Sequence, residues 1–405
     1  IFGMHVPHEY GGLDLEVSDM LRVVEQIAAI DLTLATLIVE SVQSAHTLRK
    51  YASQEKKDRY LPLLAKGQIL MAGAMTESAA GSHPRAMAAK AVPNSTEGWV
   101  ITGSKRWVGL GSWANLIAVY VQQMDECGQW LGMSGFIVEQ GAPGLRIGPE
   151  SVTMGIRGLA KHTIYLDHVS VTANDMLGAP GEGMEVAQDN MMYIRLCLAA
   201  AAVGGMKRSM QLMYRYASRR QMATGRLLDN PVTQVHLSDL ATVVRTIEVF
   251  VRFIARQLDK DPSALPEECL VTAKVVGSEQ LSLVTDRLVQ MLGARGYEES
   301  SGVAQLFRDA RTFRIFEGPT EALNMYIGSR VFASNSTLKN FFYDTIKQPQ
   351  LFDELQRRSK ELLAHKANSS LLPLLSQNFS YEYWVDHLSG QLVSSSLLLG
   401  VLKHV

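Results

Sequence analysis

The apolar positions change their period twice along the chain. Between residues 14 and 66, Leu15, Leu21, Val24, Ile27 and Ile30 recur at helical spacing. A polar stretch, Ser53–Arg59, then leads into Tyr60-Leu61-Pro62. From residue 70 to 180 the pattern shortens: Trp99–Thr102, Leu116–Val121, Gly135–Val138 and Thr163–Leu166 read as strands divided by Gly, Pro, Asn and Asp. Ile101-Thr102-Gly103-Ser104-Lys105 reads as a hairpin turn, because Gly103-Ser104 can supply positive φ. That reading places Lys105-Arg106-Trp107-Val108-Gly109 on a returning strand. Helical spacing resumes at Gly183 and runs to Val331. Glu182–Tyr216 has few breakers and would measure roughly 50 Å as one helix. Long helices at 234–258 and 270–292 follow, and such helices with short connections pack as an antiparallel bundle. Residues 336–405 differ again, with helix-like Leu351–Ala367 and Tyr381–Leu402 among Ser- and Asn-rich joints. No internal repeat is visible.

These patterns predict a mainly α chain with a central β domain. The expected parts are a helical region at 1–70, a β domain at 71–180, a helical bundle at 181–335 and a helical extension at 336–405. The 405-residue length suits two to four domains. Lys+Arg 39 against Asp+Glu 40 leaves a net charge of −1, which gives no electrostatic reason to bind nucleic acid. Cys127, Cys197 and Cys269 stand far apart, so neither a disulfide framework nor Cys-x-x-Cys metal spacing is expected. The longest apolar run, around Leu196–Met206, stops at Lys207, too short for a membrane span. There is no charged start followed by an apolar core, and the chain opens on Ile1 inside an element-like pattern. The expectation is a soluble, reducing compartment and an N-terminus whose first part is missing.

Most chemical motifs fail. There is neither a His-Glu-x-x-His zinc pattern nor a P-loop. Gly109-Leu110-Gly111-Ser112-Trp113-Ala114 fits a loose G-x-G-x-x-A pattern, but the strand-like Asn115–Val121 follows where a dinucleotide site needs a helix. Ser53-x-x-Lys56 reads as a helix N-cap. Asn94-Ser95-Thr96 means little without a secretory signal. Three segments are richer. Ala74–Ser82 is dense in small residues and hydroxyls that allow close approach to a ring or diphosphate, although a plain surface loop has the same composition. Trp107 could stack on a flat ring or sit in a core. Glu317, between apolar residues and Gly318-Pro319, suits either a desolvated base or a cap for a helix over Thr320–Arg330.

In this order and spacing, the three segments resemble the acyl-CoA dehydrogenase family of flavoproteins. Val6–Gly12, Ser53–Lys57 with Tyr60–Gly67, Met154–Gly158 and Gln290–Tyr297 extend the resemblance over residues 1–333. It implies N-terminal helices, a middle β-barrel-like domain and a C-terminal four-helix bundle, with FAD between the β domain and the bundle and a neighbouring subunit of a dimer or tetramer helping to hold it. Glu317 then matches the base that removes the α-proton of an acyl thioester while the β-hydrogen leaves as hydride to flavin N5. The backbone N–H of the same Glu helps stabilise the enolate oxygen. Met75, Thr76 and Ser82 match the flavin-contacting loop, and Ser82 also a contact to the pantetheine and pyrophosphate portion. Trp107 matches the flavin-ring tryptophan, and Gly109 stands where a flavin-bonding hydroxyl residue is usual. Arg195 matches the arginine near the thioester's nucleotide end, and Gly318 lets the substrate approach. Arg220, Gln290 and Gly293 match cofactor contacts made across the subunit interface, and Thr320 and Glu321 complete the cofactor set.

The implied partners are an acyl-CoA or acyl-carrier-protein thioester, an electron acceptor such as an electron-transfer flavoprotein, and further copies of the chain. No metal is implied, and the compartment would be the cytoplasm or the mitochondrial matrix. The sequence departs from the family at Gly109, at Gln221–Gly225, at Pro231, Pro319-Thr320 and His83, and at Leu159 and Lys161. Several of these positions gather around FAD, and the missing hydroxyl at Gly109 leaves an oxidase of the same fold as the alternative. The extension at 336–405 has no counterpart in short members; covering the bundle, building an oligomer interface or receiving a carrier protein would each suit it.

Overall fold

A computed structural model describes residues 1–94, 98–331, 336–364 and 378–405. The chain forms two compact units, Ile1–Glu16 with Thr33–Ile194 and Val17–Leu32 with Arg195–Val405. Helix α1 (Val17–Ala28) belongs to the second unit and α2 (Leu32–Tyr51) almost wholly to the first.

In the first unit α2 is followed by α3 (Gln54–Ala65), whose N-cap Ser53 accepts from the Lys56 N–H at 3.3 Å, as the Ser-x-x-Lys spacing implies. An eight-stranded sheet follows: β1 (Met71–Ala74), β2 (Lys90–Pro93), β3 (Gly98–Val108), β4 (Leu116–Met124), β5 (Trp130–Glu139), β6 (Leu145–Glu150), β7 (His162–Thr172) and β8 (Met176–Leu177). The hydrogen-bonded order is β6-β7-β3-β2-β4-β5-β8, with β1 beside β4. β4 is central, parallel to β1 and β2 and antiparallel to β5. It is buried on both faces, which explains its unbroken apolar run from Leu116 to Val121. Leu116, Ala118 and Tyr120 join Ala45, Leu48, Leu61 and Leu64 of the helices in one core.

One expectation fails here. Residues 101–105 do not form a hairpin turn. β3 runs unbroken from Gly98 to Val108, and Lys105–Val108 lies on that same strand rather than on a returning one. The register against β7 slips between Ile101 and Gly103, and Gly103 takes φ 150°. A Cβ at Gly103 would lie 2.4 Å from the Ala89 Cβ, so glycine here serves a bulge and a close approach.

Helix α4 (Gly183–Ala217) is a single 35-residue helix. From Arg195 onward it belongs to the second unit, with a small hairpin of β9 (Gln221–Met222) and β10 (Gly225–Arg226), then α5 (Pro231–Lys260) and α6 (Glu267–Leu292). In α5, Leu237, Leu240, Val244, Ile247, Val251, Ile254 and Leu258 are buried at helical spacing. Gly277 of α6 lets α4 come close, since a Cβ there would meet Ala199 at 3.3 Å. The short helices α7 (Ala294–Tyr297) and α8 (Gly302–Thr312) precede α9 (Thr320–Ser329). The extension adds α10 (Ser336–Asn340), a π-helical turn (Phe341–Thr345), α11 (Pro349–Ala364) and α12 (Asn378–His404). The end of the helix-like stretch Leu351–Ala367 lies outside the described residues, as do the last two residues of Asn94-Ser95-Thr96. α12 packs against α5, α6, α9 and α11, so the extension is part of the second unit's core. Its tightest crossing is glycine on backbone: a Cβ on Gly328 would fall 1.8 Å from the Asp386 carbonyl oxygen.

Candidate active site

The second unit places Glu317 on the turn between α8 and α9. Its φ is 53° and that of Gly318 is 98°, two left-handed residues in succession. Among the described residues no side chain caps α9; its N-cap is Pro319, so Glu317 is not the capping residue. Two buried cations grip the turn. Arg195 of α4, 7% exposed, donates Nε to the Glu317 carbonyl at 3.1 Å. Lys274 of α6, 1% exposed, donates Nζ to the Gly318 carbonyl at 2.5 Å. Burial pushes the Glu317 carboxyl above the ordinary range, with Arg195 and then Lys274 pulling the other way. Burial pulls Lys274 down to about 8, opposed by the negative charge of Glu317. Burial also lowers Arg195.

Beside the turn, Thr320 Oγ1 and Arg314 Nε both donate to Glu279 Oε1, at 2.6 and 2.7 Å. Thr320 is buried and Glu321 exposed at the start of α9. Arg220 and Gln290 lie exposed on the surface of this unit. Gly293 ends α6 at φ 60°, its N–H donating to Val289 and Gln290.

The first unit assembles the other candidates. The Arg106 N–H donates to the Thr76 carbonyl at 2.8 Å, joining the 75–82 loop to the end of β3. Beneath them Lys105, with no surface exposure, bonds the Met75 carbonyl at 3.0 Å and Glu77 Oε1 at 2.7 Å. Glu77 also accepts from the Ala88 and Ala89 N–H groups, at 2.6 and 3.0 Å. This buried pair anchors the loop, while Trp107, at φ 57°, is 47% exposed and not in a core. A Cβ on Gly109 would meet only Glu40, at 3.7 Å, so the backbone beside the tryptophan is open. Ser82 is exposed at the end of the loop. A half-exposed indole with the Arg106 guanidinium 4.8 Å from its ring centroid, an open glycine and a small-residue loop anchored by a buried pair suit a flat aromatic ring. Lys105 and Lys274 were not legible as site residues. Lys274 lies in the apolar stretch Leu270–Val276, but Lys105 stands between Ser104 and Arg106, and neither context means burial until the neighbouring elements are known.

Helices before and after a mixed sheet define a mainly α fold with a central β domain, and its helical part carries a desolvated glutamate on a strained turn. The chain belongs to the acyl-CoA dehydrogenase family: the family's N-terminal, middle and C-terminal domain models match residues 1–68, 72–169 and 181–332. It is 30% identical over 325 residues to a cyclohex-1-ene-1-carbonyl-CoA dehydrogenase of Geobacter metallireducens, covering 80% of this chain and 84% of that one. It is 29% identical over 382 residues to a probable acyl-CoA dehydrogenase of Bacillus subtilis, which takes in 90% of this chain but 62% of the relative. The chain thus spans less than two thirds of the length of several curated relatives that it matches. A Bacillus anthracis acyl-CoA dehydrogenase solved with FAD superposes with a TM-score of 0.83 at 23% identity, covering 100% of this chain and 74% of that one. That likeness of fold therefore extends through the C-terminal extension.

Proposed function

We propose that the chain catalyses the FAD-dependent α,β-dehydrogenation of an acyl thioester, with Glu317 as the base. The carrying observation is the Glu317 carboxyl, raised above its ordinary range on a turn held by two buried cations. A base with raised affinity for protons accepts the weakly acidic α-proton at its Oε more readily near neutral pH. Among the described residues the Glu317 N–H donates to no group of the chain, which leaves it available to the thioester oxygen as charge develops. When bound, FAD supplies the acceptor for the β-hydrogen and its electron pair. Met75, Thr76, Ser82, Trp107 and Gly109, with Thr320 and Glu321, are the proposed contacts to it, and Arg220, Gln290 and Gly293 the proposed contacts from a neighbouring copy. Ser82, Arg195 and Gly318 are the proposed substrate contacts, Arg195 toward the nucleotide end of the thioester, and Arg195 also holds the Glu317 carbonyl.

Acyl-CoA is the proposed substrate form, an electron-transfer flavoprotein the proposed acceptor and a homo-oligomer the proposed assembly. Gly109 favours a second reading: without a hydroxyl donor at that position the protein would work as an oxidase on CoA or carrier-protein thioesters, with dioxygen taking the two electrons and two protons and leaving as hydrogen peroxide. Glu317→Gln separates the base from the cofactor. Dye reduction should fall about 10²- to 10⁴-fold while the bound-flavin absorbance is kept. A variant that turns over like the parent would refute the assignment.

A further inference from the structure

We propose that Lys274 is a positioning residue for Glu317: by pinning the Gly318 carbonyl it fixes the turn from which the carboxyl works, and its charge tunes the proton affinity of that carboxyl. The inference rests on the reading of Glu317 as the base. Glu317 and Gly318 both have positive φ, and a non-glycine residue persists there only where its surroundings over-determine it. The over-determination is visible. Successive carbonyls, those of Glu317 and Gly318, are each taken by a cation from a different long helix, Arg195 of α4 and Lys274 of α6.

Lys274 is the less expected of the two. An ammonium at 1% exposure is costly to bury, and among the described residues it forms no ion pair within 4.0 Å; its hydrogen bond goes to a neutral backbone oxygen. A lysine needed only for folding would be better placed on a carboxylate. Here its charge acts on Glu317 through space, and that of Glu317 acts on it in return. Loss of the donor frees the Gly318 carbonyl and lets the turn relax. Loss of the charge removes one of the two cations that oppose the rise in the proton affinity of Glu317.

Three variants separate these effects: Lys274→Met removes donor and charge, Lys274→Gln keeps a donor without charge, and Lys274→Arg keeps both. The readouts are kcat and KM against pH and, independently of turnover, the pH titration of the Glu317 carboxyl infrared band, identified as the band absent in Glu317→Gln. Lys274→Met should lower kcat about 10- to 100-fold with little change in KM. The carboxyl midpoint should move up by about one pKa unit. Lys274→Gln should show the same upward movement with a smaller loss of kcat, and Lys274→Arg should return both toward the parent. Unchanged kcat and an unmoved band in Lys274→Met would overturn the proposal. Should that variant fail to fold, an unmoved band in Lys274→Gln would do so. An active Glu317→Gln protein would sink the base assignment itself, whereas an inactive one beside unaltered Lys274 variants would sink only this inference.

Discussion

Lys105→Met probes the buried pair beneath the candidate flavin loop. Lys105 has no surface exposure and its ammonium serves both the Met75 carbonyl and Glu77. Methionine fills most of the same volume, so the cavity cost is small and the loss is electrostatic. Removing one partner of a buried pair typically costs about 3–5 kcal/mol, because the other charge is left uncompensated. Glu77 keeps its two backbone donors, Ala88 and Ala89, which places the expected cost near the lower end, about 3 kcal/mol. Urea unfolding of parent and variant, followed by circular dichroism, reads this directly. The companion variant Glu77→Gln with Lys105→Met removes the stranded charge and should recover part of the loss, a coupling that a double-mutant cycle isolates. The loop itself supplies a second readout. With the Met75 carbonyl released, FAD should dissociate more readily even where the protein remains folded. A variant within about 0.5 kcal/mol of the parent, or a double variant no more stable than the single one, would refute the reasoning.

In the first unit, His5 is buried against His46 and Tyr193, and burial, aided by His46 and Arg49, lowers it to about 4. Its folded pKa lies below the unfolded value, so its contribution is complete above pH 6.5 and is lost as pH falls toward 4, on the order of 3 kcal/mol in all. Melting temperature followed from pH 7.5 to 4.5 should fall less steeply in His5→Phe than in the parent; equal slopes would contradict this. In the second unit, a Cβ at Gly390 would lie 2.0 Å from the Asn324 carbonyl oxygen, whereas one at Gly302 meets nothing within 4 Å. Gly390→Ala should therefore cost about 2–3 kcal/mol in urea unfolding, and Gly302→Ala should be near neutral. Comparable effects at the two positions would contradict the packing of α9 on α12.

Much of the architecture was legible because it is written in period. Residues that face one core along a helix must recur at helical spacing, so Glu182–Tyr216 and the two helices after it could be read within a few residues of their ends. β4 was legible because a strand buried on both faces carries an unbroken apolar run. β3 was misread because Gly103-Ser104 carries turn chemistry. A bulge and a hairpin ask the same of a glycine, and only the partner strand β7 decides between them. Among the candidate site residues, Glu317 could be singled out from its Gly-Pro context; Trp107 reads as a stacking ring on a returning strand, and it stands half-exposed although that strand does not return. The two lysines beneath them could not be singled out.

Local pattern and motif order by themselves determined the succession of helical, β and helical regions, the family, and the glutamate proposed as base. Those properties depend on neighbours along the chain. The burial of Lys105 and Lys274, the raised proton affinity of Glu317 and the glycine crossing of α9 with α12 were decided by tertiary structure alone. Desolvation and hydrogen-bond partners are set by atoms from other elements: Lys274 and Gly318, 44 residues apart, meet only when α6 packs beside the turn before α9.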